Sequence, residues 1–360
     1  MSADPPGTDP HRPSVTVHVV AGAWRRRLRN ARGRRGLIAG VLVVLAGCGG
    51  STTTTPSPHP TAATAKPTAT ATPIPLLPAP AIIQVENSSE GRPQSGLAAA
   101  NLVYEYVAEG GIDRFSLFFF GPPPPNQQVG PVRSARTVTV QLAQIYQAFL
   151  AYSGASTYIL GLLKSASFPS YNEDSAQGNL FRITSRVPPH NLYTDGVDLG
   201  KLSAMAHLPP VAYQLWQRST AAAPSGVPAL RVTAKISPFE EPVFTWDPQG
   251  GGFARTESTG LVIDPATHAP LVIPTVIVQQ VNVTTDTKVV DVDGHFGVDQ
   301  AITGTGPAQV FTGGQEYTTT WTQPPNGPPQ FALANGQPAP VAPGEVWICL
   351  VPTGEPAIVG

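Results

Sequence analysis

An α/β layered segment followed by a mostly antiparallel β segment is the fold class this sequence predicts, and three observations carry that reading. From residue 81 to 208, runs of period two alternate with runs of helical period. From 229 to 360, many short apolar or alternating runs are separated by glycine turns. The 41 prolines and 35 glycines are too many for a helix-rich chain and lack the strict repeat of collagen. With 360 residues and 41% hydrophobic content, the chain can bury one large core or two modest ones, and the length favours two domains.

The elements begin after a long leader. Residues 1–23 fit neither a signal nor a fold and are read as disordered or as an over-long start. Residues 24–48 open with Trp24-Arg25-Arg26-Arg27-Leu28-Arg29, continue to Arg34-Arg35, and pass into the apolar run Gly36 to Cys48. A positive flank, a short apolar run and small residues before a cleavage point make a secretory signal, too short for a permanent span. Leu45-Ala46-Gly47-Cys48 resembles the lipobox of bacterial lipoproteins, in which the cysteine is lipidated (palmitate and related acyl chains). Arg34-Arg35-Gly36-Leu37 leaves Sec and twin-arginine export both open. Residues 49–80, rich in Thr, Pro and Ala with eight prolines, are expected to be a disordered linker reaching about 100 Å at roughly 3.1 Å per residue. Residues 1–47 carry eight arginines and two aspartates, so a chain beginning at Cys48 has a net charge near −7 against −1 for the whole. That charge argues against nucleic acid as a partner. With Cys48 lipidated, Cys349 has no cysteine to pair with, and its apolar run Glu345 to Val351 predicts a buried, inert thiol.

In residues 81–208 the first strand is expected at Ala81 to Val85 and a helical turn at Ser95 to Ala100. Leu102 to Val107 alternates, Glu109 to Asp113 supplies a glycine turn, and Arg114 to Phe120 returns, so Tyr104 to Phe120 reads as a hairpin with Glu105, Glu109 and Asp113 clustered near its tip. A helix follows from about Ser134, its expected N-cap, to Tyr146. Arg133 and Arg136 then stand at its start, where a helix amino terminus and two guanidiniums suit an anion. The alternative is that they pair internally with Glu105, Glu109 or Asp113. A strand at Ala148 to Ser153, a helix from Ser156 to Lys164, a loop carrying His190 and a closing helix from Asp198 to His207 complete the segment.

The strings Glu86-Asn87, Arg92 to Leu97, Tyr104-Glu105, Glu109 to Phe115, Val129 to Arg136 and Pro189 to Tyr193 resemble the YerB-like lipoprotein family, a two-part domain of unknown function (DUF3048). The resemblance covers most of 81–360, is densest in 86–136, and implies a layered α/β fold held at the outer face of the membrane. It brings no established chemistry. Where the family commonly has an aspartate before the asparagine and a threonine before the arginine, this chain has Glu86 and Asp113, the latter a carboxylate next to Arg114 in sequence.

Residues 209–228 are a Pro/Ala-rich connection, and 229–360 hold the short strands, with turns at Gly250 to Gly252, Asp293-Gly294, Gly313-Gly314 and Asn335-Gly336. Asp291-Val292-Asp293-Gly294 echoes a calcium loop but lacks the further acids of an EF-hand. His268 and His295 have no partner at ligand spacing, so neither metal nor cofactor is expected.

These residues point to a membrane-anchored, extracytoplasmic lipoprotein of the cell envelope, a module that binds an anionic envelope ligand or an envelope protein. The candidate site is Glu105, Glu109, Asp113, Arg114, Arg133, Ser134, Arg136 and His190, with the membrane engaged through Cys48. A hydrolase or transferase using Glu105 and Glu109 with Arg133 and Arg136 is the alternative, and an enzyme is the less favoured reading. A third reading makes the same charges a buried ion-pair network.

Overall fold

The computed structural model describes residues 76–213, 215–216 and 225–360. The expected signal, the Cys48 lipidation site and nearly all of the linker lie outside the described residues. In chain order the elements are strand β1 (Ala81–Glu86), the hairpin β2 (Leu102–Val107) and β3 (Asp113–Phe119), helix α1 (Thr137–Tyr146), β4 (Phe149–Ala151), α2 (Thr157–Ser165), β5 (Ser170–Tyr171) and α3 (Gly196–Ala206). Then come β6 (Val243–Asp247), β7 (Gly252–Glu257), β8 (Thr275–Val281), β9 (Thr305–Thr312), β10 (Gln315–Thr322), β11 (Gln330–Ala332) and β12 (Val346–Pro352).

One eleven-stranded sheet runs β11-β10-β9-β8-β12-β2-β3-β1-β4-β5, with the short Val227–Pro228 strand beside β10. It draws on both segments of the sequence. Strand β12, near the carboxyl end, lies between β8 and β2 and is parallel to both, with Ile277 and Tyr104 each opposite Ile348. Most other pairs are antiparallel, so the expected class holds. The central strands β1, β3, β8 and β12 are buried almost end to end. Buried on both faces, they read as apolar runs rather than as strict alternation.

Each face of this sheet has its own core. On one, Ile82, Tyr104, Phe118 and Ile348 pack with Val138, Leu142 and Tyr146 of α1 and Ile159 and Leu163 of α2. On the other, Val85, Phe115, Trp347 and Cys349 pack with Phe244 and Phe253 of a second, six-stranded sheet built around β6 and β7, and with Leu199 and Leu202 of α3. The order of layers is α1 and α2, the large sheet, and then the second sheet together with α3.

Locally, most expected elements form near their predicted places. Ser156 caps α2 by accepting the Ile159 amide at 3.4 Å, and Asp195 caps α3 through the Asp198 amide at 2.9 Å. Residues 95–100 make turns rather than a helix. Helix α1 starts at Thr137, not at Ser134. Arg133 N donates to Gln84 O at 2.8 Å, Ala135 N to Gly154 O at 2.9 Å, and Ser153 N to Arg133 O at 2.9 Å. These bonds hold 133–135 extended between β1 and the end of β4, and Arg136 becomes the N-cap residue.

Candidate functional site

The hairpin β2–β3 distributes its charges by parity. Glu105 lies opposite Phe115 and Asp113 opposite Val107, while Arg114 lies opposite Tyr106. Because successive side chains in a strand point to opposite faces, Glu105 and Asp113 project toward the second sheet and Arg114 toward α1. The expected cluster of three acids at the tip is therefore not formed: Glu105 and Asp113 share one face, and Glu109 joins the other. Asp113, adjacent to Arg114 in sequence, faces away from it.

On the second-sheet face the charges close into a ring. Arg255 of β7 donates through Nη2 to Glu105 Oε1 at 2.5 Å and through Nη1 to Glu257 Oε2 at 3.0 Å. Trp347 Nε1 donates to the other Glu105 oxygen at 2.7 Å. Glu105 also shares a hydrogen bond with Asp113, whose two oxygens accept from Asn87 Nδ2 at 2.8 and 2.9 Å. Arg92 Nε donates to Asn87 Oδ1 at 3.1 Å, and Arg92 Nη2 lies 3.3 Å from Glu257, completing the circuit. Glu105 is 0% and Arg255 1% exposed.

The ionisation states follow from this geometry. Burial pushes Asp113 well above the usual carboxylate range, reinforced by its hydrogen bond to Glu105 and by that neighbour's charge. Burial alone would raise Glu105 too, but Arg255 and the hydrogen bonds from Asp113 and Trp347 outweigh it and hold it low. The guanidinium of Arg255 resists the loss its burial would cause because Glu105 and Glu257 flank it. Asp113 carries the proton and Glu105 is ionised beside Arg255, while Arg92 also pairs with Glu240 at 3.5 Å. Cys349 sits beside Glu105, its thiol pushed up by burial and then by that carboxylate.

On the helix face the charges do not close. Glu86 ends β1 opposite Arg114. Its carboxylate meets His190 Nδ1 at 2.8 Å, Ser88 Oγ at 2.5 Å and Arg133 Nη1 at 3.5 Å, the last an ion pair without hydrogen-bond geometry. Arg136 is bound through Nε to Glu109 and donates through Nη1 to the carbonyls of Ser134 and Ala135, each at 3.0 Å. Arg114 is 8% exposed, and its Nε and Nη1 are buried with no hydrogen-bond partner. Burial, then Arg136 and Arg133, bring its pKa down to about 10, and Glu86 and Glu109 only partly offset them. Gly130 shapes the floor of this motif: a methyl there would stand 2.7 Å from the Tyr193 ring and 2.9 Å from Leu192 O.

Seven of the eight expected site residues thus fall into two groups on opposite faces: Glu105 and Asp113 on one, Glu109, Arg114, Arg133, Arg136 and His190 on the other. Ser134 contributes only its carbonyl. The expected internal pairing is met for Arg136 with Glu109, whereas Arg133 takes Glu86. Arg255, the partner of Glu105, lies 150 residues away and leaves no local sequence signal.

The expectation that His295 has no partner at ligand spacing is corrected. Asp291, Asp293 and His295 offer ligand atoms within 4.8 Å of one another, because the loop folds back so that Asp291 accepts from the amides of Asp293 and His295 and from the His295 ring. These groups are largely exposed and bonded among themselves. Among the described residues no helix is long and apolar enough to cross a membrane.

The layered fold, with its N-terminal α/β half and antiparallel C-terminal half around the hairpin motif, defines the class. Residues 68–208 match the family described as protein of unknown function (DUF3048), N-terminal domain, and residues 232–348 match its C-terminal domain. The chain belongs to this family. It is 28% identical over 287 residues to a protein named as a lipoprotein, YerB of Bacillus subtilis (strain 168), covering 78% of this chain and 83% of that one. The crystal structure of YerB from Bacillus subtilis superposes with a TM-score of 0.65 at 25% identity, covering 77% of this chain and 92% of the other.

Proposed function

We propose that this chain is an extracytoplasmic lipoprotein, tethered to the membrane through Cys48 and a proline-rich spacer, whose helix face binds an anionic group of an envelope ligand. The observation that carries the binding reading is Arg114: a guanidinium 8% exposed, with two buried donors unpartnered, beside two further arginines. An unpartnered buried charge is expensive, and folds rarely retain one without compensation. A bound anion supplies that compensation. The tether reading is supported by the signal and lipobox pattern and by the lipoprotein name of the Bacillus subtilis relative.

The hydrolase alternative draws no support from this geometry. Glu105 is fully buried with both oxygens engaged, and Glu109 is held by Arg136. The binding reading is tested by the melting temperature of the full chain against increasing acetate and inorganic phosphate at constant ionic strength. A saturable rise in the wild type that is absent in Arg114→Met supports it. Equal curves for the two proteins, or no rise with either anion, contradict it.

A further inference from the structure

We propose that a cavity at the edge of the second sheet binds an uncharged aromatic group, as a site separate from the one beside Arg114. The cavity holds about 580 Å³, within the range of roughly 300 to 1,000 Å³ usual for small-molecule sites. One wall is the segment that follows β7, with Leu261 and Ile263, and the other is the Arg92-Pro93-Gln94 loop. Strand parity makes the first wall apolar. Val262 is 7% exposed and belongs to the core, so its neighbours Leu261 and Ile263 point the other way and are 47% and 39% exposed. Single exposed aliphatic side chains are ordinary, whereas two held side by side along a cavity offer an apolar partner a surface.

Both walls are fixed before a ligand arrives. Val262 N donates to Arg255 O and Leu271 N to Val262 O, each at 2.9 Å. Across the cavity, Arg186 donates to Gly91 O at 2.8 Å and to Pro93 O at 2.7 Å, which pins the loop. A site formed in advance loses little affinity to ordering.

The polar lining decides the ligand class. Arg92 reaches Asn87 through Nε at 3.1 Å, Ser258 through Nη1 at 3.1 Å, and Glu240 and Glu257 through Nη2 at 3.5 and 3.3 Å. With all three nitrogens engaged along its edge, what the guanidinium has left for the cavity is its flat face, a surface that stacks on aromatic rings. Glu257, which also lines the cavity, is held by Arg255 and Arg92. An anion entering meets Glu257 and a cation meets Arg92, and neither side chain is free to repay the hydration such a ligand loses.

The test is calorimetric titration of the full chain at pH 8, where an ordinary imidazole is neutral, with naphthylmethanol, its saturated counterpart decalinol, and the anion naphthoate. Naphthylmethanol should bind saturably, one per chain, and at least tenfold more tightly than either of the others. Leu261→Gln and Ile263→Gln, both at exposed positions, should each weaken it at least tenfold. Independently of any wall variant, the ring NMR signal of His268, which lines the cavity and is assigned by its loss in His268→Gln, should move as naphthylmethanol is added to the wild type. No saturable binding, binding unchanged in both wall variants, or an unmoved His268 signal overturns the site. Naphthoate or decalinol binding as tightly as naphthylmethanol overturns the uncharged aromatic class.

Discussion

Asp113 and Glu105 show how two carboxyls of one hairpin come to opposite ionisation. Asp113, raised well above its ordinary range by burial and by Glu105, binds a proton in the fold that it releases in the unfolded chain at neutral pH. A raised folded pKa gives stability that is full below about pH 4, the unfolded value, and is lost as pH rises through the folded value. Glu345 adds a fall of the same sign, raised by burial and then by Asp264. Glu105, held low, acts only at the acid end, where its contribution disappears as pH falls. Asp113→Asn keeps a donor toward Glu105 and an acceptor toward Asn87 without a titrating proton. Denaturation midpoints measured from pH 5 to 8 should therefore fall less steeply in Asp113→Asn than in the wild type, with a residual slope from Glu345. An unchanged slope would mean that Asp113 is ionised in the fold. The sequence displayed these charges as a concentrated run but gave no means of pairing them. Arg255 reaches Glu105 only because two sheets stack, and a partner 150 residues away leaves no local signal.

At the scale of elements, the hairpin and the three helices were legible because period and capping are local: the alternation of Leu102 to Val107 and the helices read from Ser156 and from Asp198. The start of α1 was not, because the bonds holding 133–135 extended come from β1 and from the end of β4. The misplaced acid cluster has a different cause. Nearness to a turn is not nearness in space: strand parity keeps Glu105 and Asp113 on one face, while Glu109, in the turn, is taken by Arg136 on the other. The Val129 to Arg136 motif depends on Gly130 for close approach to Tyr193 and to the carbonyl of Leu192. That carbonyl also accepts the Val132 amide at 2.7 Å, so backbone would have to move to admit a methyl. Gly130→Ala is expected to lower unfolding free energy by about 2 kcal/mol or more. A loss below about 0.5 kcal/mol in a denaturant titration would show that the segment relaxes freely.

Across the whole molecule, composition and turn signals indicated the fold class but not the continuity of the sheet. Strand β12, from the end of the chain, supplies β2 with its parallel neighbour and places Trp347 and Cys349 in the core beneath Phe115 and Glu105. Residues 76–228 made alone lose that strand, the second sheet and Arg255, leaving the β2 edge open and Glu105 without its cation. We expect such a fragment to show no cooperative thermal transition by circular dichroism and to regain one when residues 229–360 are supplied. A cooperative transition in the fragment alone would show that the first segment is an independent domain.

The central claim is that the two charged faces differ in kind, one closed and structural, the other open and kept for a ligand. Urea denaturation of the full chain in anion-poor buffer, comparing Arg114→Met and Arg255→Met with the wild type, tests it most directly. Arg255→Met strands Glu105, leaves Glu257 with Arg92 alone, and should reduce stability by about 3–5 kcal/mol. Arg114→Met removes an uncompensated buried cation, leaves Glu86 with Arg133 and Glu109 with Arg136, and should match or exceed wild-type stability. A loss in Arg114→Met comparable to that in Arg255→Met would make both faces architecture and remove the case for a ligand.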